Sequence, residues 1–167
     1  VQALWDKVFV MDADSGDVIW KTESPAGSNI AKVLVSGDRL IVLLVEPMKE
    51  RFHRGLMAPY VAVEAWQLKD GKPAWRFADL KGWALCEDAR RCHGFGSRDH
   101  RLLLPVEPVE KQSGKHRSLW LFDTRDGRKV WEKPLGMDMW TWAIIGDQIW
   151  SSRGSSGGVS DLATGRN

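Results

Sequence analysis

The sequence is poor in tyrosine, poor in cysteine and almost without net charge, and each shortage excludes something. A single Tyr stands against ten Trp in 167 residues, so the aromatic surface is mostly indole. Lys and Arg number 24 and Asp and Glu 22, a formal charge of +2. That balance gives no global electrostatic reason to bind DNA, RNA or an anionic membrane, and no nucleic-acid partner is expected. The longest apolar run, Leu40–Val45, is far too short to span a bilayer, so no membrane insertion is expected. No amphipathic helix stands out. Val1–Val10 lacks a basic start followed by an apolar stretch, hence no visible signal peptide, and the first residue is not Met, which leaves room for an upstream segment. Only two cysteines occur, Cys86 and Cys92. They permit a short-loop disulfide, which would suit an oxidising compartment, or two free thiols in a strand-and-loop region, and both readings stay open.

What is present is a repeat. Val8-Phe-Val-Met-Asp-Ala-Asp-Ser-Gly16 is followed by Trp20. Val63-Glu-Ala-Trp-Gln-Leu-Lys-Asp-Gly71 is followed by Trp75, and Leu119-Trp-Leu-Phe-Asp-Thr-Arg-Asp-Gly127 by Trp131. Val159-Ser-Asp-Leu-Ala-Thr-Gly165 begins a fourth copy. The glycines are 55, 56 and 38 residues apart, read from their positions 16, 71, 127 and 165. Asp12, Asp123 and Asp161 precede their Gly by four residues, and Gln67 breaks that column. Val45-Glu-Pro47 returns as Val106-Glu-Pro108, and Gly37-Asp-Arg-Leu40 resembles Gly146-Asp-Gln-Ile149. A unit recurring at such a period is the signature of a stacked repeat architecture.

Each column has a physical reason. Alternation of Val8 and Val10 with Phe9 and Met11 has the period of a strand. The turn Gly accepts positive φ, the early Asp can bond backbone amides across the turn, and the Trp opens the next strand with a large flat packing surface. The spacing predicts strands at 7–12 and 18–22 finishing one sheet, then 31–36, 39–46, 60–67 and 73–77. A third sheet is expected from 83–87, 101–107, 117–123 and 129–133, and a fourth begins with 140–145, 148–152 and 158–162. Met48–Pro59 and Glu110–His116 read as insertions that lengthen two repeats beyond the roughly 40–45 residues of a plain propeller blade.

The pattern Asp-x-x-(Ser/Thr/Asp)-Gly-x-x-x-Trp resembles the repeat of PQQ-type quinoproteins and of their non-enzymatic relatives, including the lipoprotein of the outer-membrane assembly machinery. The resemblance covers nearly the whole chain. It implies an all-β fold: a partial β-propeller of four-stranded antiparallel blades, about half a ring, with blade parts near 1–24, 30–79, 83–135 and 139–167. The repeat residues Asp12, Gly16, Trp20, Gly71, Trp75, Asp123, Gly127, Trp131, Asp161 and Gly165 are then structural. The family closes seven or eight blades, and a half ring leaves edges open. The chain is therefore expected to be a fragment of a longer one, a chain seen in part, or a protomer completing its ring with another copy. Its starting and ending inside repeats favour the first two. The resemblance also implies an extracytoplasmic location, periplasmic or secreted.

For function, two readings follow. The first is a non-catalytic propeller segment that scaffolds protein–protein or ligand contacts, with a protein partner or the remaining blades as its neighbours and no cofactor. The alternative is a fragment of a quinoprotein dehydrogenase oxidising an alcohol or sugar, with PQQ and calcium. No residue matches that catalytic pattern, and no catalytic, cofactor-binding or metal residue is assigned. The most distinctive non-repeat segment is Cys86–His100. If it lies on the first strand of a blade, Arg90, Arg91, His93 and Arg98 would present positive charge to an anionic ligand in the channel. The plainer reading is a solvated loop of mixed charge. Haem attachment is set aside because Cys86 and Cys92 lack the required spacing, and Cys86, Cys92, His93 and His100 match no zinc pattern. Trp66, Trp120 and Trp150 alternate with apolar neighbours and read as packing, and Trp140 and Trp142 remain as candidates for exposed contacts.

Overall fold

A computed structural model describes residues 1–4, 6–47, 58–85, 96–109, 116–135, 141–153 and 156–166. Their regular structure is all strand, paired antiparallel. The first sheet holds β1 (Gln2–Leu4), β2 (Lys7–Met11) and β3 (Val18–Glu23). The second holds β4 (Asn29–Ser36), β5 (Arg39–Val45), β6 (Ala58–Gln67) and β7 (Pro73–Phe77). The third holds β8 (Trp83–Leu85), β9 (Gly96–Arg98), β10 (Arg101–Pro108), β11 (Ser118–Asp123) and β12 (Lys129–Pro134). The fourth holds β13 (Thr141–Ile145), β14 (Gln148–Arg153) and β15 (Ser156–Asp161).

Two expectations about strands are corrected. The first sheet has a third strand, β1, which pairs with β2. The inner strand of the third sheet is split. β9 pairs with Arg101, Leu102 and Leu103 of β10, and β8 pairs with Glu107 and Pro108 farther along that strand. β8 also pairs with Ala58 and Pro59 of β6, which welds the second and third sheets together at one end. The expected single strand at 83–87 missed this because the residues that complete it arrive only at position 96.

The sheets stack on apolar layers. Val8 and Val10 meet Leu40, Val42, Leu44 and Trp66 between the first and second sheets. Ile41, Leu43 and Ala65 meet Leu102, Leu104 and Phe122 between the second and third. Leu103, Leu119 and Leu121 meet Ile149 and Leu162 between the third and fourth. β5 and β11 are apolar on both sides because each faces a neighbouring sheet on both sides. Each such Leu or Ile removed from water contributes about 1.5–3 kcal/mol. The outer strands β3, β7 and β12 alternate exposed and half-buried residues and carry charges such as Lys21, Arg76 and Lys133, which blunts edge pairing.

A bulge flanks each of the three repeat turns that end at Gly16, Gly71 and Gly127. Pairing slips between Val10 and Met11, between Ala65 and Trp66, and between Leu121 and Phe122, so that Ile19, Ala74 and Val130 are each the extra residue. The slip seats Trp20 opposite Val10, Trp75 opposite Ala65 and Trp131 opposite Leu121, which aims each indole at the following sheet.

Candidate functional site

Most of the repeat residues carry the structure, and their geometry shows how. The N–H of Trp20 donates to the carbonyl of Leu68 at 2.7 Å, that of Trp75 to Thr124 at 2.8 Å and that of Trp131 to Leu162 at 3.0 Å. Each acceptor stands three residues before the next repeat Gly. That Gly lies under the indole: a Cβ on Gly71 would meet the Trp20 ring at 2.9 Å, on Gly127 the Trp75 ring at 2.5 Å, and on Gly165 the Trp131 ring at 3.2 Å. The acceptor residue also uses its own amide. Leu68 donates to the carbonyl of Asp38, Thr124 to His100 and Leu162 to Asp147, each in the inner hairpin of the same sheet. One residue per blade thus ties the preceding sheet, the repeat turn and the inner hairpin together.

The turn acids are committed locally. Oδ1 of Asp12 accepts from the amides of Asp14 and Ser15, which hold its carboxyl below the usual range. Asp161 accepts from the hydroxyl and amide of Thr164, with the same effect. Asp123 is buried and bonded foremost by the Arg125 side chain, with the Arg125 amide and Arg101 adding to it, and its carboxyl is held far below the usual range. Glu64 is buried and accepts from Trp66 and Arg76. Glu107 pairs with Arg117 at 2.8 Å.

The described end of the segment singled out in the sequence, residues 96–100, lies at an inner edge. β4, β9 and β13 run beside one another as successive inner strands. Ser97 Oγ donates to the carbonyl of Val35 at 3.1 Å, joining β9 to β4. Of the four cationic candidates, Arg98 is exposed and pairs with Asp99 at 3.3 Å. Arg90, Arg91, His93, Cys86 and Cys92 lie outside the described residues, as do Trp140 and all but the ends of both insertions.

Sequence reasoning weighed His100 only as a zinc ligand and missed its packing role. Asp99 and His100 have φ of 45° and 62°, and the His100 ring fills the space beside Gly37 of the preceding inner hairpin, where a Cβ would meet it at 2.6 Å. A signal was available in the sequence, where Asp99-His100-Arg101-Leu102 stands in the place that Gly37-Asp38-Arg39-Leu40 holds in the preceding sheet. Trp150 also departs from expectation. It is 47% exposed, whereas Trp66 and Trp120 are buried as expected, because Trp150 occupies the face of the fourth sheet turned away from the third. An apolar groove of about 500 Å³ runs between the first and second sheets, lined in part by Val1, Met11, Ile19, Val35 and Leu68.

Comparison with solved structures gives the fold: a partial β-propeller, consistent with PQQ-like repeats. BamB from Moraxella catarrhalis superimposes with a TM-score of 0.57 at 18% identity, over 96% of this chain and 42% of that one. The quinohemoprotein alcohol dehydrogenase ADHIIG from Pseudomonas putida HK5 gives 0.59 at 14% identity, over 98% of this chain and 31% of that one. The β-propeller domain of the Trilobed protease from Pyrococcus furiosus, which has an open velcro topology, gives 0.50 at 16% identity, over 92% of this chain and 44% of that one. The chain therefore spans less than half the length of these propellers. At such identities the likeness is one of fold. No family model matches the sequence, and no curated protein matches it.

Proposed function

We propose that this chain is a non-catalytic segment of a larger PQQ-like propeller, that it scaffolds protein–protein or ligand contacts, and that it works outside the cytoplasm. The observation that carries this reading is the commitment of the repeat acids. Asp12, Asp123 and Asp161 close their turns, and Glu64 is bonded to Trp66 and Arg76. These carboxylates serve separate blade turns and strands and do not converge on a common point, so they do not fit a calcium–PQQ cradle. Among the described residues no three His, Cys, Asp or Glu side chains gather as metal ligands. In this reading the scaffold's contacts fall to the inner row of strands and to the Cys86–His100 stretch of the sequence.

The test is direct. The protein is mixed with PQQ and calcium and followed by calorimetry and by dye-linked oxidation of alcohols and sugars. Neither binding nor turnover is expected, and turnover would transfer the chain to the quinoprotein dehydrogenases. A pull-down from native extract that retains no partner counts against the scaffold. For location, mass analysis after alkylation should show Cys86 and Cys92 joined in freshly isolated protein, and two reduced thiols would weaken the assignment.

A further inference from the structure

We propose that the apolar groove between the first and second sheets binds a small amphipathic carboxylate. Its anionic head pairs with Arg39, and its apolar body lies against Met11, Ile19, Val35 and Leu68. The proposal goes beyond the scaffold reading and does not depend on it, since the groove lies between two adjacent sheets and needs no protein partner.

The third sheet shows what Arg39 lacks. Arg39 and Arg101 hold the same place, each the first residue of the strand that follows an inner hairpin. Across the sheet Arg39 stands opposite Gln67, and Arg101 stands opposite Asp123. Arg101 donates to the buried Asp123 carboxylate at 3.2 Å. In the second sheet that column holds a neutral amide, Gln67, so Arg39 has no acid opposite it. It donates instead to its chain neighbour Asp38 at 2.9 Å, and Asp38 is 73% exposed, so water weakens the pair. The Nε of Arg39 is buried and has no hydrogen-bond partner among the described residues. A buried donor left unpaired is costly, and a guanidinium offers two parallel N–H groups to a carboxylate. The place that the Asp123 carboxylate fills for Arg101 is therefore open to a ligand at Arg39. The Gln67 side-chain amide, also in the groove wall, is a further donor for the same head group.

The rest of the groove selects the body of the ligand. Its volume of about 500 Å³ is that of a small-molecule site. Met11, Ile19 and Val35 are exposed at 38%, 55% and 46%, and all three line it. Exposed apolar side chains are ordinary when scattered, but gathered in one concave place they mark a surface that takes an apolar group. Among the described residues the walls carry two cations, Arg39 and Lys69, and one acid, Asp38, which already bonds Arg39. That balance favours an anionic head over a neutral or cationic one.

The experiment is an NMR titration of the labelled protein with octanoate, octanol and octylamine, each kept below the concentration at which it aggregates. Octanoate should give saturable shifts at the methyl groups of Met11, Ile19 and Leu68 and at the Arg39 Nε–H. Octanol and octylamine should bind at least ~10-fold more weakly. Gln67→Asp places opposite Arg39 the acid that the third sheet holds opposite Arg101. It should weaken octanoate at least ~10-fold and leave octanol unchanged. Arg39→Gln should have the same selective effect. Octanol or octylamine binding as tightly as octanoate would leave an apolar groove with no carboxylate site and overturn the proposal. So would absent shifts, shifts confined to other parts of the chain, or undiminished octanoate binding by Gln67→Asp. If Arg39→Gln fails to fold, Gln67→Asp and the comparison of the probes on the unaltered protein decide.

Discussion

The indole of Trp75 donates to the carbonyl of Thr124 while its ring lies flat over Gly127. Gly127 and Gly16 share nearly the same backbone, with φ of 75° and 77°, but among the described residues an indole lies against Gly127 and none against Gly16. The two glycines therefore separate backbone strain from packing. Gly16→Ala should cost about 1–2 kcal/mol, the strain of a side chain in the left-handed region. Gly127→Ala carries the same strain plus a forced displacement of Trp75, worth a further ~1–3 kcal/mol. Urea unfolding of the two variants measures the difference, and equal losses would show that the ring does not rest on Gly127.

Asp123 makes stability depend on acid. Its carboxyl is buried and its pKa is held far below the ordinary value, chiefly by the Arg125 side chain. A group depressed in the folded state stabilises fully above its unfolded value, near ~3.9, and loses that contribution as pH falls through the folded value. Unfolding midpoints should therefore decline below about pH 4. Asp123→Asn should lower stability at pH 7 by about 1–3 kcal/mol and should flatten the decline in acid. An unchanged acid limb in the variant would assign the decline to other groups, Asp12 and Asp161 first among them, since both are shifted in the same direction.

Much of this arrangement was legible in the sequence because the blade repeats. The interval of four from Gly to Trp located three outer strands, since no other described strand follows a Gly-ended turn with a Trp in that position. The bulge residues Ile19, Ala74 and Val130 were not legible, because an extra residue leaves no composition signal and shows only in the pairing. The split of β8 from β9 was hidden by the intervening segment, which carries no strand periodicity. Trp150 was misread for a related reason: alternation gives the face of a side chain, but not whether another sheet covers that face.

Tyr60 tests the weld between the second and third sheets. Its hydroxyl is buried and donates to the carbonyl of Pro105 on β10 at 2.9 Å, close to where β8 pairs with both sheets. Tyr60→Phe keeps the ring and removes the donor. The expected loss is about 1 kcal/mol, with faster hydrogen exchange at Trp83 and Val109, whose amides bond to Leu80 and Gly82 in the same joint. Exchange that quickens only at distant sheets would argue that the hydroxyl does not hold this end.

Trp150 supplies the opposite case, a large aromatic that should contribute little to stability in this chain. It pairs across strands with Ala143 and Val159, and Val159 and Ile145 are exposed with it. Trp120, by contrast, is buried against Phe77, Trp83 and Phe122. Trp150→Ser forfeits only cross-strand contact, below ~1 kcal/mol, whereas Trp120→Ala opens a cavity costing about 3–5 kcal/mol. Acrylamide quenching adds an independent reading. Trp150→Phe should reduce the readily quenched fraction of the fluorescence, because an indole on an open face meets the quencher freely. A variant with unaltered quenching, or a Trp150→Ser protein as unstable as Trp120→Ala, would mean that this face of the fourth sheet is covered in solution.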